Sequence, residues 1–165
     1  MPANGLHLRQ SPSPTPMENV MFKTILLPTD GSALTEKAIP TAIEFAKLTG
    51  GKIIGIYVIQ PLPLTAIADG GIAIDLGIYE QQMRDTAQIH IDKLAEVARA
   101  ANVAFEGIIA QSVNPYEEII NASNQFNCDV ILMASHGRKG LNKLFLGSET
   151  QKVLAHTTLP VMVLR

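Results

Sequence analysis

Short apolar runs alternate with helix-like segments along the chain, and this alternation constrains the fold more than any other feature. Five runs are typical of buried strands, at residues 23–28, 52–59, 103–110, 128–135 and 160–164. Between them apolar residues recur with helical spacing, which predicts helices at about 33–49, 79–101, 114–126 and from 148 onward. Strands joined through helices lie parallel, because each helix returns the chain to the same end of the sheet, and such crossovers are right-handed. The sequence therefore predicts an α/β fold: an open, doubly wound, five-stranded parallel sheet with helices on both faces.

Several residues mark the starts of these helices. Ser32 or Thr35 can be the N-cap of the first helix, because a hydroxyl accepts hydrogen bonds from first-turn amides. Asn114–Pro115 combines an N-cap residue with proline at the first helical position. Ser148 and Gln151 match a capping box at the last helix. Each signal follows one of the apolar runs, as a strand-to-helix connection requires.

Two segments show neither pattern. Residues 60–78 are rich in Pro, Gly and Ala and have no clear period, which predicts a long loop that is either a functional lid or disordered. Residues 1–20 contain three Ser-Pro or Thr-Pro pairs and no apolar stretch of the kind found in signal peptides. The predicted organisation is therefore a disordered tail at 1–20 and one folded domain at 21–165.

Composition argues against several classes of function. Apolar residues make up 47% of the chain and charged residues only 17%, which suits a sheet covered on both faces. The net charge of −2 argues against a nucleic-acid partner, since such proteins usually carry a basic stripe. No apolar run reaches the roughly 18 residues of a membrane span. Cys128 is the single cysteine, and we predict that it is a small buried apolar residue. The composition as a whole predicts a cytoplasmic protein without nucleic-acid or membrane partners.

The predicted topology indicates where a ligand would bind. In open parallel sheets, ligands bind beyond the carboxyl ends of the strands, at the point where the strand order reverses. The segments that follow the first four predicted strands are Thr29–Ser32, Val58–Gln60, Gln111–Asn114 and Ala134–Ser148. The sequence therefore predicts that binding residues lie in these four segments.

The segment after the fourth apolar run has the composition of a phosphate-binding loop. Gly137 and Gly140 let the backbone approach a ligand closely, and Gly147 precedes a helix start, where unpaired amides attract phosphate. Further donors and positive charges are available from Arg138, Lys139, Lys143, Ser148 and Thr150. Neither GxxxxGK[ST] nor a GxGxxG after a strand occurs, so a Walker nucleotidase or a dinucleotide-binding fold is not supported.

Two stretches resemble the universal stress protein family, and the resemblance covers residues 21–165. The sequence ILLPTDGS at Ile25–Ser32 resembles the family's first strand and turn. The later stretch resembles its ATP motif, G-x2-G-x9-G-[ST], in which Gly137, Gly147 and Ser148 match. Ala134 stands where the motif has its first glycine, and it adds one methyl group where the backbone would approach the sugar.

The resemblance implies a Rossmann-like sheet in the order 3-2-1-4-5 and a site for ATP, ADP or AMP. Asp30 and the backbone of Val58 would face adenine, and the residues implied for the ribose are Pro28, Thr29, Met133 and Ala134. Those implied for the phosphates are Gly137, Gly147, Ser148, Glu149 and Thr150. The resemblance also implies Mg²⁺ or Mn²⁺ held through the phosphates, and a homodimer paired through residues 160–164.

Simpler interpretations stay open for single residues. Asp30 could serve only to cap the turn that follows its strand. His136 has no nucleophile and carboxylate pattern around it, so we interpret it as a loop residue beside the ribose or a phosphate. Arg138 could be a solvated charge. No catalytic or metal-ligating residue is assigned.

Three functions remain open at this stage. The first is a nucleotide-dependent regulatory module of the stress response that acts on an unknown protein partner and is not an enzyme. The second is a protein-interaction module of the same family without nucleotide, for which Ala134 is the only support. The third is a slow ATPase or a nucleotidyl-transferring relative, although the SGGxDS and HxGH signatures of the transferases are missing.

Overall fold

The structure is a computed structural model that describes residues 22–62, 75–137 and 146–165. The predicted tail at 1–20 lies outside the described residues, as does most of the predicted loop at 60–78. Two of the predicted binding residues, Arg138 and Gly140, also lie outside them.

The described residues form a single parallel sheet with helical connections. In chain order the elements are β1 (Thr24–Thr29), α1 (Ala33–Thr49), β2 (Lys52–Ile59), α2 (Leu76–Ala100), β3 (Ala104–Gln111), α3 (Pro115–Gln125), β4 (Val130–Ala134), α4 (Ser148–His156) and β5 (Val161–Leu164). The strand order is β3-β2-β1-β4-β5, and all neighbours are parallel. The predicted fold class and strand order are confirmed. None of these helices has the length and apolarity that crossing a membrane requires.

Alternate side chains of the strands enter two separate cores, one on each face of the sheet. Ile25 and Leu27 of β1 pack with α1 and α2, whereas Leu26 packs with α3 and α4. β4 alternates in the same way, with Leu132 on the first face and Ile131 on the second. The sheet is therefore doubly wound, and its central strands are buried on both sides.

α1 begins and ends as the sequence predicts. Ser32 is the N-cap, and its Oγ accepts a hydrogen bond from the amide of Thr35 at 3.3 Å. The helix ends at Gly50, whose φ of 61° is a left-handed conformation that glycine adopts without strain. Of the two hydroxyl residues considered as the cap, Ser32 has this role.

α2 begins three residues earlier than predicted, at Leu76 instead of about Tyr79. Its N-cap is Asp75, whose Oδ1 accepts from the amides of Gly77 and Ile78 at 2.9 and 3.2 Å. An aspartate cap satisfies two first-turn amides, which offsets the poor helix propensity of Gly77. The predicted extension of the loop to residue 78 is therefore wrong at its C-terminal end.

α4 begins at Ser148 as predicted, but the predicted capping box is wrong. The N-cap is Gly147, and no side chain in the described part of the chain caps this helix. Gln151 instead donates from Nε2 to the carbonyl of Leu146 at 2.6 Å. Ser148 lies one residue inside the helix, so its hydroxyl is not in the position from which a cap accepts.

Cys128 lies just before β4 and is buried, with 6% of its surface exposed. Burial raises the pKa of its thiol to about 11, so it stays uncharged at neutral pH. The prediction of a small buried apolar residue is confirmed.

Candidate functional site

The candidate site lies at the carboxyl ends of β1 and β4, where the strand order reverses. These two strands are neighbours, with Ile25 and Leu26 of β1 paired to β4, while β2 pairs on the other side of β1. α1 and α4 then cover opposite faces of the sheet. In open parallel sheets, such a reversal of strand order is where ligands bind.

Asp30 organises the turn between β1 and α1. Its Oδ1 accepts from the amide of Ser32 at 3.0 Å and from the hydroxyl of Thr35 at 2.8 Å. The hydroxyls of Ser32 and Thr35 lie 2.9 Å apart, and Thr29 Oγ1 accepts from the amide of Gly31 at 3.2 Å. Asp30 therefore has the structural role that the simpler interpretation assigns to it. The turn is held in place by its own side chains.

Gly137 meets Asp30 across the two strand ends. A Cβ atom built on Gly137 would overlap Oδ2 of Asp30 and would lie 3.2 Å from its Cγ. The carboxylate thus packs directly against the Cα atom of Gly137, and any side chain at this position would displace it. The absence of a side chain at Gly137 therefore leaves space for the carboxylate of Asp30, in addition to allowing the phosphate contact that the motif predicts.

Backbone hydrogen bonds hold the junction between β4 and α4. The amide of Gly147 donates to the carbonyl of Ser135 at 2.7 Å, and the amide of Ser135 donates to the carbonyl of Leu164 at 2.7 Å. Thr150 is buried, and its Oγ1 lies 3.1 and 3.3 Å from the carbonyl oxygens of Ala134 and Ser135, to which it donates. The hydroxyl predicted as a phosphate donor is therefore engaged with the end of β4.

The start of α4 and His136 form one corner of the site. A Cβ atom on Gly147 would lie 3.1 Å from the Cα atom of His136, so the two backbones are close. His136 Nδ1 is 3.0 Å from the hydroxyl of Ser135. Because Gly147 has no side chain to accept from the first amides of α4, this corner presents the positive end of the helix. Such a corner suits an anion.

Glu149 binds α3 with its side chain. Its Oε2 accepts from the amide of Tyr116 at 3.0 Å, and its Oε1 lies 2.9 Å from Nζ of Lys152. The hydrogen bond with Glu149 raises the pKa of Lys152, and the Tyr116 hydroxyl, bonded to Glu117, has a raised pKa for that reason. The negative charge of Glu149 is thus matched by Lys152. Its side chain is committed to holding α3 and α4 together.

The other predicted residues lie at the carboxyl ends of β1, β2 and β4. Pro28 and Val58 are half-buried, whereas Thr29, Met133 and Ala134 are buried. Side chains that are buried in the sheet cannot reach a ligand, so Thr29, Met133 and Ala134 would offer backbone atoms instead. Ala134, which departs from the family motif, has 7% of its surface exposed.

His90 of α2 is a neighbour of the site that sequence reasoning missed. Its ring stacks on that of Tyr57 in β2, with 5.7 Å between the centres and 6° between the planes. Its ring edge packs against Gly31, where a Cβ atom would overlap Cε1 and Nε2. No sequence signal connects these residues, because strand and helix periodicities relate only residues of the same element.

The described part of the chain does not supply a metal centre by itself. Within residues 22–62, 75–137 and 146–165, no three His, Cys, Asp or Glu side chains are placed to hold an ion. The Mg²⁺ or Mn²⁺ implied by the resemblance would need other ligands, such as phosphate oxygens.

Comparison with known proteins identifies the family and agrees with the fold. The sequence profile of the universal stress protein family matches residues 21–165. The universal stress protein MJ0531 of Methanocaldococcus jannaschii is 26% identical over 145 residues, which are 88% of this chain and 83% of that protein. The solved structure of MJ0577 from the same organism superposes with a TM-score of 0.76 at 26% identity, over 87% of this chain and 96% of that one. A universal stress protein solved in complex with cAMP has the same fold, with a TM-score of 0.61 at 18% identity over 88% and 98% of the two chains. Since the family profile covers all elements of the sheet, this chain belongs to the universal stress protein family.

Proposed function

We propose that the chain is a cytoplasmic regulatory module of the stress response that binds ATP, ADP or AMP and signals to a protein partner. The observation that carries this proposal is the contact between Asp30 and Gly137 beside the start of α4. It places a carboxylate, which accepts from the amino group of adenine, close to helix-start amides, which suit phosphate. The shared fold of the universal stress protein solved with cAMP supports an adenine nucleotide as the class of ligand.

The two halves of the site indicate how the nucleotide would lie. Adenine would contact Asp30 and the backbone of Val58, and the phosphates would contact the amides at Gly147 and Ser148. Gly137 would lie closer to the base than to the last phosphate, because it packs against Asp30. A protein with a net charge of −2 has to hold an anion with local donors, and oriented amides provide them. A divalent ion would be bound through the phosphates.

The alternative of a protein-interaction module without nucleotide rests on Ala134. The methyl group of Ala134 is buried, with 7% of the residue exposed, at the end of β4. A packed methyl does not occupy the space that a sugar would need. This favours nucleotide binding over the alternative.

Titration calorimetry with ATP, with and without Mg²⁺, tests the proposal directly. Asp30→Ala should weaken binding by about tenfold or more, the effect of losing one well-placed hydrogen bond to a charged group. Ile89→Ala is the control, because Ile89 is 67% exposed on α2 and should leave the affinity unchanged. Wild-type protein that releases no nucleotide on denaturation and gives no heat with ATP would contradict the proposal and favour the interaction module.

We propose that ATP turnover is slow or absent. His136 lies 3.0 Å from the hydroxyl of Ser135, but Ser135 has only 1% of its surface exposed and cannot meet a substrate as a nucleophile. Phosphoryl transfer depends on positioned charges around the reacting phosphate. Phosphate release should therefore stay far below the enzyme median of about 10 per second. A rate in that range, lost on His136→Ala, would contradict this assignment.

We also propose a homodimer that pairs through β5, an edge strand with half-buried apolar side chains. The carbonyl of Pro160 accepts from β4, and that of Leu164 accepts from the residue after β4. The alternation of a strand therefore turns the amides of Val161 and Val163 toward the open edge. An unpaired apolar edge favours pairing with a second copy. Val161→Pro should shift the protein toward monomer in light scattering. Wild-type protein that is monomeric at tens of micromolar would refute the dimer. At such concentrations an interface with a dissociation constant of about 1 μM still persists.

A further inference from the structure

His90 lies where α2, β2 and the turn between β1 and α1 meet. It projects from α2, stacks flat on Tyr57 of β2, and brings its ring edge against Gly31, which directly follows Asp30. A Cβ atom on Gly31 would also lie 2.7 Å from Cδ2 of the ring, so the imidazole occupies the space where a side chain would otherwise be. Gly31 has a φ of 73°, a conformation that other residues adopt with strain.

A second contact holds α2 against α1 near the same place. Lys93, one turn further along α2 than His90, forms an ion pair with Glu36 of α1 at 2.6 Å. The hydrogen bond from Lys93 lowers the pKa of Glu36. The ion pair is exposed and so contributes little stability by itself, but it shows that α2 faces the first turn of α1. The helix that carries His90 and the helix that follows Gly31 are thus in contact near both residues.

We propose that His90 is a positioning residue for base recognition. Its ring packs against Gly31 and so holds the carboxylate of Asp30 in place for adenine. This inference rests on the proposed function. Gly31 has no side chain of its own to limit its backbone conformation, and glycine has the widest range of such conformations. The flat ring limits that range, and Asp30 is the adjacent residue. His90 therefore acts through the turn without contacting the nucleotide.

The chemistry of the bases provides a readout that a merely structural role would not change. Adenine presents an amino group where guanine presents a carbonyl oxygen. A carboxylate held at that position accepts from the amino group of adenine and repels the carbonyl oxygen of guanine. A site built for such a hydrogen bond discriminates strongly between the two bases. If the position of Asp30 depends on His90, the preference for ATP over GTP depends on it as well.

The test is titration calorimetry of His90→Ala, His90→Leu and His90→Phe with ATP and with GTP. His90→Ala should raise the dissociation constant for ATP by about tenfold and should reduce the ATP to GTP preference to a similar degree. His90→Leu keeps apolar volume but not the flat ring, and it should give the same loss of affinity and base preference. If circular dichroism shows that His90→Ala is unfolded, His90→Leu takes its place. His90→Phe keeps a flat ring on Tyr57 and should restore both quantities to within about threefold.

Ile89→Ala is the matched control, because it removes a side chain of similar size from the next position of α2, on the exposed side. It should leave the ATP affinity and the base preference unchanged. Folded His90→Ala or His90→Leu protein with wild-type ATP affinity and base preference would overturn the role of His90 while leaving the proposed function intact. A folded His90→Phe variant as weak as His90→Ala would also overturn it. Wild-type protein that does not bind ATP would instead refute the proposed function itself.

Discussion

The two connections that form the site are stabilised in different ways. Between β1 and α1, the side chains of Asp30, Ser32 and Thr35 bond with one another within one short turn. Between β4 and α4, bonds join residues far apart in the chain: the amide of Gly147 donates to Ser135, and the hydroxyl of Thr150 donates to the end of β4. The first connection is a local structure made by side chains. The second depends on bringing separate parts of the chain together, and that difference predicts different responses to substitution.

The largest effect should come from the connection between β4 and α4. Gly147→Val would place a branched side chain beside the first amides of α4, and its Cβ atom would lie 3.3 Å from the carbonyl oxygen of Ser135. We expect ATP affinity to fall by about 100-fold or more, measured by titration calorimetry. Gly77→Val, in the first turn of α2, is the control and should bind ATP as the wild type does. Wild-type affinity in folded Gly147→Val protein would show that the helix-start amides do not hold the ligand.

The second effect is on stability. Thr150→Val keeps the shape of the side chain but removes the hydroxyl that donates to the carbonyls at the end of β4. Because Thr150 is 3% exposed, water cannot replace this bond, and the free energy of unfolding should fall by about 2 kcal/mol.

Chemical denaturation measures this change, and Thr86→Val is its control. Thr86 donates to the carbonyl of Gln82 on the surface of α2, so its loss should cost no more than about 0.5 kcal/mol. Equal losses at the two threonines would mean that the β4–α4 junction does not depend on this side chain.

The third prediction concerns the contact that links the two connections. Gly137→Ala adds a methyl group that overlaps Oδ2 of Asp30, so the carboxylate must move. ATP binding should weaken by about tenfold. In a double-mutant cycle with Asp30→Ala the two losses should be strongly non-additive, because the methyl has no carboxylate to displace once Asp30 is gone. Simple additivity would show that the contact has no effect on binding.

The smallest effect distinguishes the caps of α1 and α4. Ser32→Ala removes an N-cap hydroxyl and should lower the free energy of unfolding by about 1 kcal/mol. Ser148→Ala should change it by less than about 0.5 kcal/mol, since Ser148 lies inside α4 and caps nothing. Thermal or chemical denaturation of both variants measures the difference. A larger loss at Ser148 than at Ser32 would reverse this comparison of the two connections.

Local signals in the sequence predicted much of the fold. The apolar runs located all five strands to within two residues of each boundary, and Asn114–Pro115 marked the start of α3. The same signals were wrong where neighbouring residues competed for one role. Ser148 matches a capping pattern, yet Gly147 takes the cap position because its amide bonds to the end of β4.

The candidate site was predictable only in part. The turn at Asp30 and the glycines at Gly137 and Gly147 were found from their positions after strands and from the family motif. The contact between Asp30 and Gly137 was not predictable, because it crosses between two strands that are distant in the chain. His90 was missed for the same reason.

By itself, the sequence determined which segments become strands and helices, that the sheet is parallel, and which strand ends face the candidate site. These properties follow from periodicity and turn chemistry, which act over a few residues. Only the tertiary structure decided that Thr150 supports β4, that Glu149 holds α3, and that His90 packs against Gly31. Those partners are chosen by the packing of helices on the two faces of the sheet, and no local pattern records which side chains will meet there.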